Sequence, residues 1–243
     1  MRHTSTRTRP SRRRRTQPRA PQQRATDTRE RIVAAAVEAF ADLGFDGATT
    51  RDIAVRAGVN QGLITYHFSS KDDVWKAAVD RIFTMLRDTF ATRLEVLEDV
   101  DPLTRLRVLI RHFVRFAAAH PELHRLMIQE GKNDGPRLQW LLERHVRPLY
   151  EASVGLITEA QSVGLLRRTP PPAHLHYMLL GAAAHLFVVA PEFRRLSGQD
   201  PAQKEVIETH ADAIVDVLLA SAQMPATRAA RRRRPIAARR SAE

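Results

Sequence analysis

The sequence predicts an all-α protein in which a compact N-terminal set of three helices, arranged as a helix-turn-helix, is followed by a larger C-terminal helical domain. Three observations support this. Apolar residues recur every three or four positions in one segment after another, the period of a helix buried on one side. The segments open on Ser, Thr, Asp or Asn and close on Gly or Pro, the residues that cap and end helices. No run alternates polar and apolar side chains as a half-buried strand would, and there is no internal repeat. At 243 residues with 43% hydrophobic content, the chain can bury a sizeable core.

The first helix is expected in DTRERIVAAAVEAFADLG, where Ile32, Ala36, Ala39, Phe40 and Leu43 share a face, Thr26 or Asp27 caps the start and Gly44 ends it. Phe45 then folds back onto that face while Asp46 and Gly47 turn the chain. The second helix opens at Thr49 or Thr50, with Asp52 placed to form a capping box with Thr49. Ile53, Ala54 and Ala57 point inward and Gly58 stops it. Val59 fills the turn, Asn60 caps the third helix, and Gln61 to Phe68 form that helix with Ile64 and Phe68 inward. Gln61, Gly62, Leu63, Thr65 and Tyr66 are left outside or near its tip. Ser70 caps a fourth helix, with Asp73 three residues on and Val74, Trp75, Ala78, Val79 and Ile82 as its apolar stripe.

Met85, Leu86, Phe90, Leu94 and Leu97 continue that stripe. Asp101-Pro102 starts a segment carrying Leu103, Leu106, Leu109, Ile110, Phe113 and Phe116, which His120-Pro121 breaks. PELHRLMIQEG reads as a short helix closed by Gly131, and KNDGP as a loop. Leu138 to Val163 reads as one long helix ended by Gly164 and prolines 170 to 172. Ala173 to Ala190 and Pro201 to Ala220 supply the last two helices.

Charge is concentrated at the ends. Residues 1–25 hold nine arginines and no acid, and residues 224–243 hold seven arginines and one glutamate. Removing +9 and +6 from the total of +12 leaves −3 for residues 26–223. Both ends are proline-bearing and poor in apolar residues, so they read as disordered tails: sources of salt-sensitive phosphate affinity, arms entering a minor groove, or simply solvated low-complexity segments. The organisation is therefore a tail (1–25), a helix-turn-helix domain (26–72), a helical domain (73–223) and a second tail (224–243). There is no cysteine, which excludes disulfides and thiolate chemistry and suits a reducing compartment. No apolar run approaches a membrane span and no apolar segment follows the basic N-terminus. These features predict a cytoplasmic, nucleoid-associated protein without a membrane partner.

From about Thr28 to Ile82, the order FADLGFDGATT, RDIAVRAGVNQGLITYHF and SSKDDVW resembles the DNA-binding domain of the TetR (tetracycline-repressor-like) family. Any one piece would be weak; the combination is specific. The resemblance implies a transcriptional regulator that is no enzyme, with a double-stranded DNA operator, itself as homodimer and an unidentified small-molecule effector as partners, and no cofactor. Its third helix would enter the major groove. There Gln61 suits a bidentate pair with adenine, Gly62 admits close approach, and Leu63 suits a thymine methyl. Asn60 and Tyr66 flank these. In the family, residues matching Arg51 reach a base, and those matching Thr50, Thr65, His67 and Lys71 touch phosphates. Many members carry tyrosine where this chain has Thr65, so Tyr66 or a water would take over that contact. Tyr66 fits packing and phosphate contact equally, and His67 fits a hydrated surface position.

Two copies are needed to read a pseudo-palindrome. The small and large apolar residues Leu179, Ala182, Ala183, Leu186, Ile207, Ala211, Ile214 and Leu218 are the expected dimer surface, part of it serving as internal core. An effector cavity is expected among Met85, Phe90, Phe113, Phe116, Met127, Trp140, Tyr150 and Tyr177, each of which also fits ordinary core. The ten histidines form no zinc-like spacing, and no phosphate-cradling loop or nucleophile elbow occurs, so neither metal nor catalytic residues are assigned. The alternative class is a basic architectural DNA-binding protein whose tails dominate.

Overall fold

A computed structural model describes residues 21–94, 97 and 99–219. Both predicted tails, apart from residues 21–25, lie outside these residues. The described chain is helical, with no strand among its residues. Its helices are α1 (Pro21–Gly47), α2 (Thr50–Ala57), α3 (Gln61–His67), α4 (Lys71–Leu94), α5 (Pro102–Ala119), α6 (Pro121–Glu130), α7 (Pro136–Leu141), α8 (Arg147–Ser162), α9 (Pro172–Val188), α10 (Ala190–Ser197) and α11 (Lys204–Leu219).

Several boundaries differ from those read in the sequence, and each difference has a local cause. Helix α1 begins at Pro21 rather than at Thr26: proline needs no partner for an N–H at a helix start, and Thr28 lies inside the helix, its hydroxyl donating to the Arg24 carbonyl at 2.8 Å. Gly44 breaks it as expected, at φ 70° and ψ 175°. The long helix expected from Leu138 to Val163 instead starts at Pro136 and is divided by a π-helical turn, Leu142–Val146, just before Pro148. Proline has no N–H for the carbonyl four residues back and its ring crowds it, and the wider π register accommodates both. Helix α9 stops at Val188, and Pro191 opens a separate α10 bent by 75° from it. Helix α11 begins at Lys204 rather than Pro201, because the Asp200 carboxylate accepts from the Ala202 N–H and its carbonyl from the Gln203 N–H, holding that stretch as a turn.

Two apolar cores result. The first joins α1 to α4 with α6 and α7: Ile32, Ala36, Phe40, Ile53, Ile64, Trp75, Val79 and Ile82 are buried together with Leu123, Leu126 and Leu141. The second joins α5, α8, α9 and α11 through Leu106, Ile110, Ile157, Leu175, Ala183, Ala211 and Ile214. Phe113 of α5 packs against both. The three-helix head is thus no free-standing module, since α6 lies directly along α1.

A polar node ties α4 to the π turn. Asp80 accepts from Arg144 Nε at 2.8 Å and stands 2.9 Å from His145 Nε2, while Arg87 lies 3.0 Å from His145 Nδ1. Arginine only donates, so Nδ1 accepts and Nε2 carries the proton given to Asp80. His145 is 2% exposed, stacked on Phe83. Burial pushes its imidazole below the ordinary histidine value, with Asp80 opposing and Arg87 adding to the shift. Burial lowers His124, His176 and His210 as well. With folded values below an unfolded value of about 6.5, the unfolded chain takes up protons first. The stabilisation is complete above that value and is lost as pH falls through it. The thermal midpoint should therefore be level from pH 8 to 7 and decline between pH 6.5 and 5, before carboxylates titrate. A midpoint constant down to pH 5 would contradict this.

Candidate nucleic-acid interface

The second helix of the head is closed at both ends. Thr49, in extended conformation, accepts from the Asp52 N–H at 3.1 Å, and the Asp52 carboxylate accepts from the Thr49 N–H and hydroxyl at 3.1 and 2.6 Å. These hydrogen bonds, the hydroxyl's first, hold Asp52 below the usual carboxylate range. At the other end Gly58 takes the left-handed conformation (φ 62°, ψ 40°), and the Val59 and Gly58 N–H groups return to the carbonyls of Ala54 and Val55 at 3.0 and 3.1 Å. This is a Schellman turn, and its positive φ explains why glycine occupies the corner. Asn60 then caps α3 by accepting from the Gly62 N–H at 2.8 Å.

One residue essential to this corner escapes sequence reasoning. Arg31, on α1, donates through a single terminal nitrogen to the Ala57 carbonyl at 2.6 Å and the Gly58 carbonyl at 3.0 Å. It neutralises the negative end of α2 and satisfies carbonyls that the helix leaves open. Nothing local marks it, because its partners lie 26 and 27 positions away. Asp42 of α1 also escapes: it pairs with Arg56 of α2 at 2.8 Å and with Arg125 of α6 at 3.0 Å.

The expected contact residues fall into three groups. Arg51, Asn60, Gln61, Gly62, Leu63, Thr65 and Tyr66 are exposed on one end of the head. Tyr66 is 76% exposed and lies outside the apolar core. Thr50 is half-buried and joined to Gln61, whose Nε2 donates to its hydroxyl at 3.2 Å. His67 and Lys71 form the third group and are engaged internally, as is the hydroxyl of exposed Thr65. Thr65 donates its hydroxyl to the Gly62 carbonyl at 2.9 Å. Half-buried His67 meets Tyr66 edge-on, and Lys71 lies 4.5 Å over the Phe45 ring with its amine 3.5 Å from the Asp46 carbonyl. Arg29, over Phe68 at 5.1 Å, anchors the far end of α3 and was not singled out from sequence.

In the C-terminal domain, Leu179, Ala183, Ala211 and Ile214 are buried in the chain's own second core. They are therefore removed from the expected dimer surface, because their stripes on α9 and α11 face α5 and each other inside the same chain. Ala182, Leu186, Ile207 and Leu218 lie partly buried at the edge of that core. The exposed side of α9 is His174, Tyr177, Met178 and His185, with half-buried Gly181 on the same helical face. Of the expected effector residues, Phe116 is core, Tyr177 is 66% exposed, Tyr150 meets His176 edge-on, and Met85, Phe90, Phe113, Met127 and Trp140 are packed partly buried against the first core. A groove of about 620 Å³ lies elsewhere, between His124 of α6, Ala182 and Leu186 of α9, Glu192 and Phe193 of α10 and His210 of α11. None of the eight residues lines it. Among the described residues no group of His, Asp or Glu is arranged to hold a metal ion, and no single helix is long and apolar enough to cross a membrane.

Comparison with known proteins places this geometry. Residues 32–78 match the family model for bacterial regulatory proteins of the tetR family, and residues 102–218 match the model for the tetracyclin repressor-like C-terminal domain. The HTH-type transcriptional repressor SCO4008 of Streptomyces coelicolor is 31% identical over 170 residues, 70% of this chain and 82% of that protein. The HTH-type transcriptional regulator RutR of Escherichia coli is 27% identical over 168 residues, 69% of this chain and 77% of its own. Among solved structures, AibR in complex with isovaleryl coenzyme A and operator DNA superposes with a TM-score of 0.64, covering 79% of this chain and 98% of that one at 17% identity, a likeness of fold.

Replacing Arg31 with Leu keeps the aliphatic stem but leaves two carbonyls without their charged donor. The cost should be about 1–3 kcal/mol in chemical denaturation, with helical content in circular dichroism retained. A variant as stable as the parent would remove Arg31 from the turn.

Proposed function

The chain belongs to the TetR family of bacterial regulatory proteins, and from that membership we propose that it is a homodimeric, effector-released repressor of a pseudo-palindromic operator. It is a DNA-binding transcriptional regulator built on a helix-turn-helix and an effector-type C-terminal domain. The observation that carries the finer reading is the exposed tip of α3, where Gln61, Gly62 and Leu63 are open to solvent, Gln61 bonded to Thr50 of α2, with the backbone already capped by Asn60. Gln61 reads adenine, Leu63 meets a thymine methyl and Arg51 meets a guanine, while Thr50 and Tyr66 contact phosphates. Thr65 contributes little, its hydroxyl proton being spent within the helix. Lys71 reaches phosphate only by leaving Phe45.

Pairing of two chains through the exposed face of α9, around Tyr177 and Met178, sets two recognition helices about 34–36 Å apart, one turn of DNA. As an operator-binding protein it works in the cytoplasm, at the nucleoid. The effector binds the C-terminal domain, as isovaleryl coenzyme A is named with AibR, and must favour one head spacing over the other to release DNA. Helix α6 is the route, because it packs along α1 while His124 faces the groove and the adjacent Arg125 holds Asp42 of the head.

Footprinting of the full chain should reveal a discrete palindromic site that survives near-physiological salt. Uniform protection lost as salt rises would instead favour the architectural reading, in which the +9 and +6 ends dominate. Gln61→Ala should abolish preference at one position per half-site, at about 1–3 kcal/mol; equal losses on operator and random DNA would refute direct readout. Arg125→Ala touches no DNA-facing residue, yet it should change operator affinity severalfold in the absence of effector. Unchanged affinity would exclude α6 as the coupling route.

A further inference from the structure

Thr50 and Gln61 lie on different helices, eleven positions apart, yet Gln61 Nε2 donates to the Thr50 hydroxyl oxygen at 3.2 Å. Resting on the reading of Gln61 as a base reader, we propose that Thr50 is a positioning residue: its hydroxyl links a backbone phosphate to the Gln61 amide and thereby sets which base Gln61 accepts.

The argument follows from the hydrogens available. A primary amide has two N–H bonds, one on the same edge as its carbonyl oxygen and one on the opposite edge. A bidentate pair with adenine uses the oxygen, which accepts from N6, together with the N–H on the same edge, which donates to N7. The opposite N–H takes no part, and it is the one available to Thr50. The contact seen between the two helices is thus compatible with adenine recognition. Guanine is different, since O6 and N7 both require donors, and an amide with one hydrogen held by Thr50 cannot supply two.

A hydroxyl by itself would not hold the amide in one sense. If Gln61 flipped, its oxygen would face Thr50, and the hydroxyl could turn and donate to it. The hydroxyl has one hydrogen, however. Once that hydrogen is donated to a phosphate oxygen, Thr50 toward Gln61 is an acceptor only. A flipped amide would then set oxygen against oxygen between the protein and the DNA that covers it, so Nε2 stays toward Thr50 and the acceptor edge stays toward the base. Position supports the double role: Thr50 is the first residue of α2, half-buried beside the exposed Gln61, and its neighbour Thr49 is fully engaged in the capping box with Asp52. A contact that carries no sequence information on its own thereby sharpens the base readout.

The test uses the full-length dimer and four versions of its operator that differ only at the base pair located by Gln61→Ala. Thr50→Val keeps the shape and removes the hydroxyl; Thr50→Ser restores the hydroxyl. Thr50→Val should weaken binding to all four and in addition cut the preference for adenine over guanine by about tenfold, whereas Thr50→Ser should keep the parental preference. In the Gln61→Ala background, Thr50→Val should leave only the uniform loss. If Thr50→Val weakens all four equally and the preference is unchanged, Thr50 is a phosphate contact alone and the proposal falls. If Gln61→Ala alters no base preference at any position, the direct-readout reading falls with it, a result distinct from the first. Unfolding midpoints of both Thr50 variants, expected to match the parent, confirm that an intact head is being compared.

Discussion

The burial of one face of α1 is the constraint on which the rest of the molecule depends. Ile32, Ala36, Ala39 and Phe40 are almost wholly removed from water, and they form a wall against which α2, α3, α4 and α6 all pack. Large apolar side chains contribute about 1.5–3 kcal/mol each on full burial, far more than the exposed ion pairs of the head. Trp75 stands where these elements meet, edge-on to Phe45 at 6.4 Å and tilted against Trp140 of α7 at 5.5 Å. Because this core includes α6 and α7, the head cannot reorient without disturbing the C-terminal domain. A reading head coupled to a regulatory domain needs this property.

Polar groups then fix the directions that apolar packing leaves open. Arg31 locks the corner between α2 and α3, Asp42 joins α1 to α2 and α6, and the Asp80, Arg87 and His145 node binds α4 to the π turn. Each links segments distant in sequence. The last is also where Pro148 forces a wider helical register, so a backbone irregularity and a buried imidazole occupy the same turn. Of these groups only His145 is buried, and with both ring nitrogens partnered it is held in a single orientation.

The head was largely legible in the sequence because its signals are local. The Thr49 and Asp52 capping box, the glycine corner at Gly58, the Asn60 cap and the inward Ile64 and Phe68 all rest on neighbours within a few residues. Legibility failed wherever a residue acts across the fold. Leu179, Ala183, Ala211 and Ile214 have the small-and-large pattern of a helix interface, and they do form one, but within the chain. Periodicity identifies a buried face without saying which surface buries it. The long helix through Pro148 failed for a different reason: apolar periodicity continued past a proline whose effect on the register is decided by the turn before it.

By itself, then, the sequence determined the helix order, the caps and corner of the reading head, and the family to which the residues from Thr28 to Ile82 point, since propensity, capping and period are short-range properties of the chain. Only the tertiary structure decided that α6 runs along α1, that Arg31 and Asp42 hold the head, that Thr50 and Gln61 meet, and which side of α9 stays exposed. These depend on how helices dock, and docking brings together atoms separated by tens of residues for which no local pattern exists.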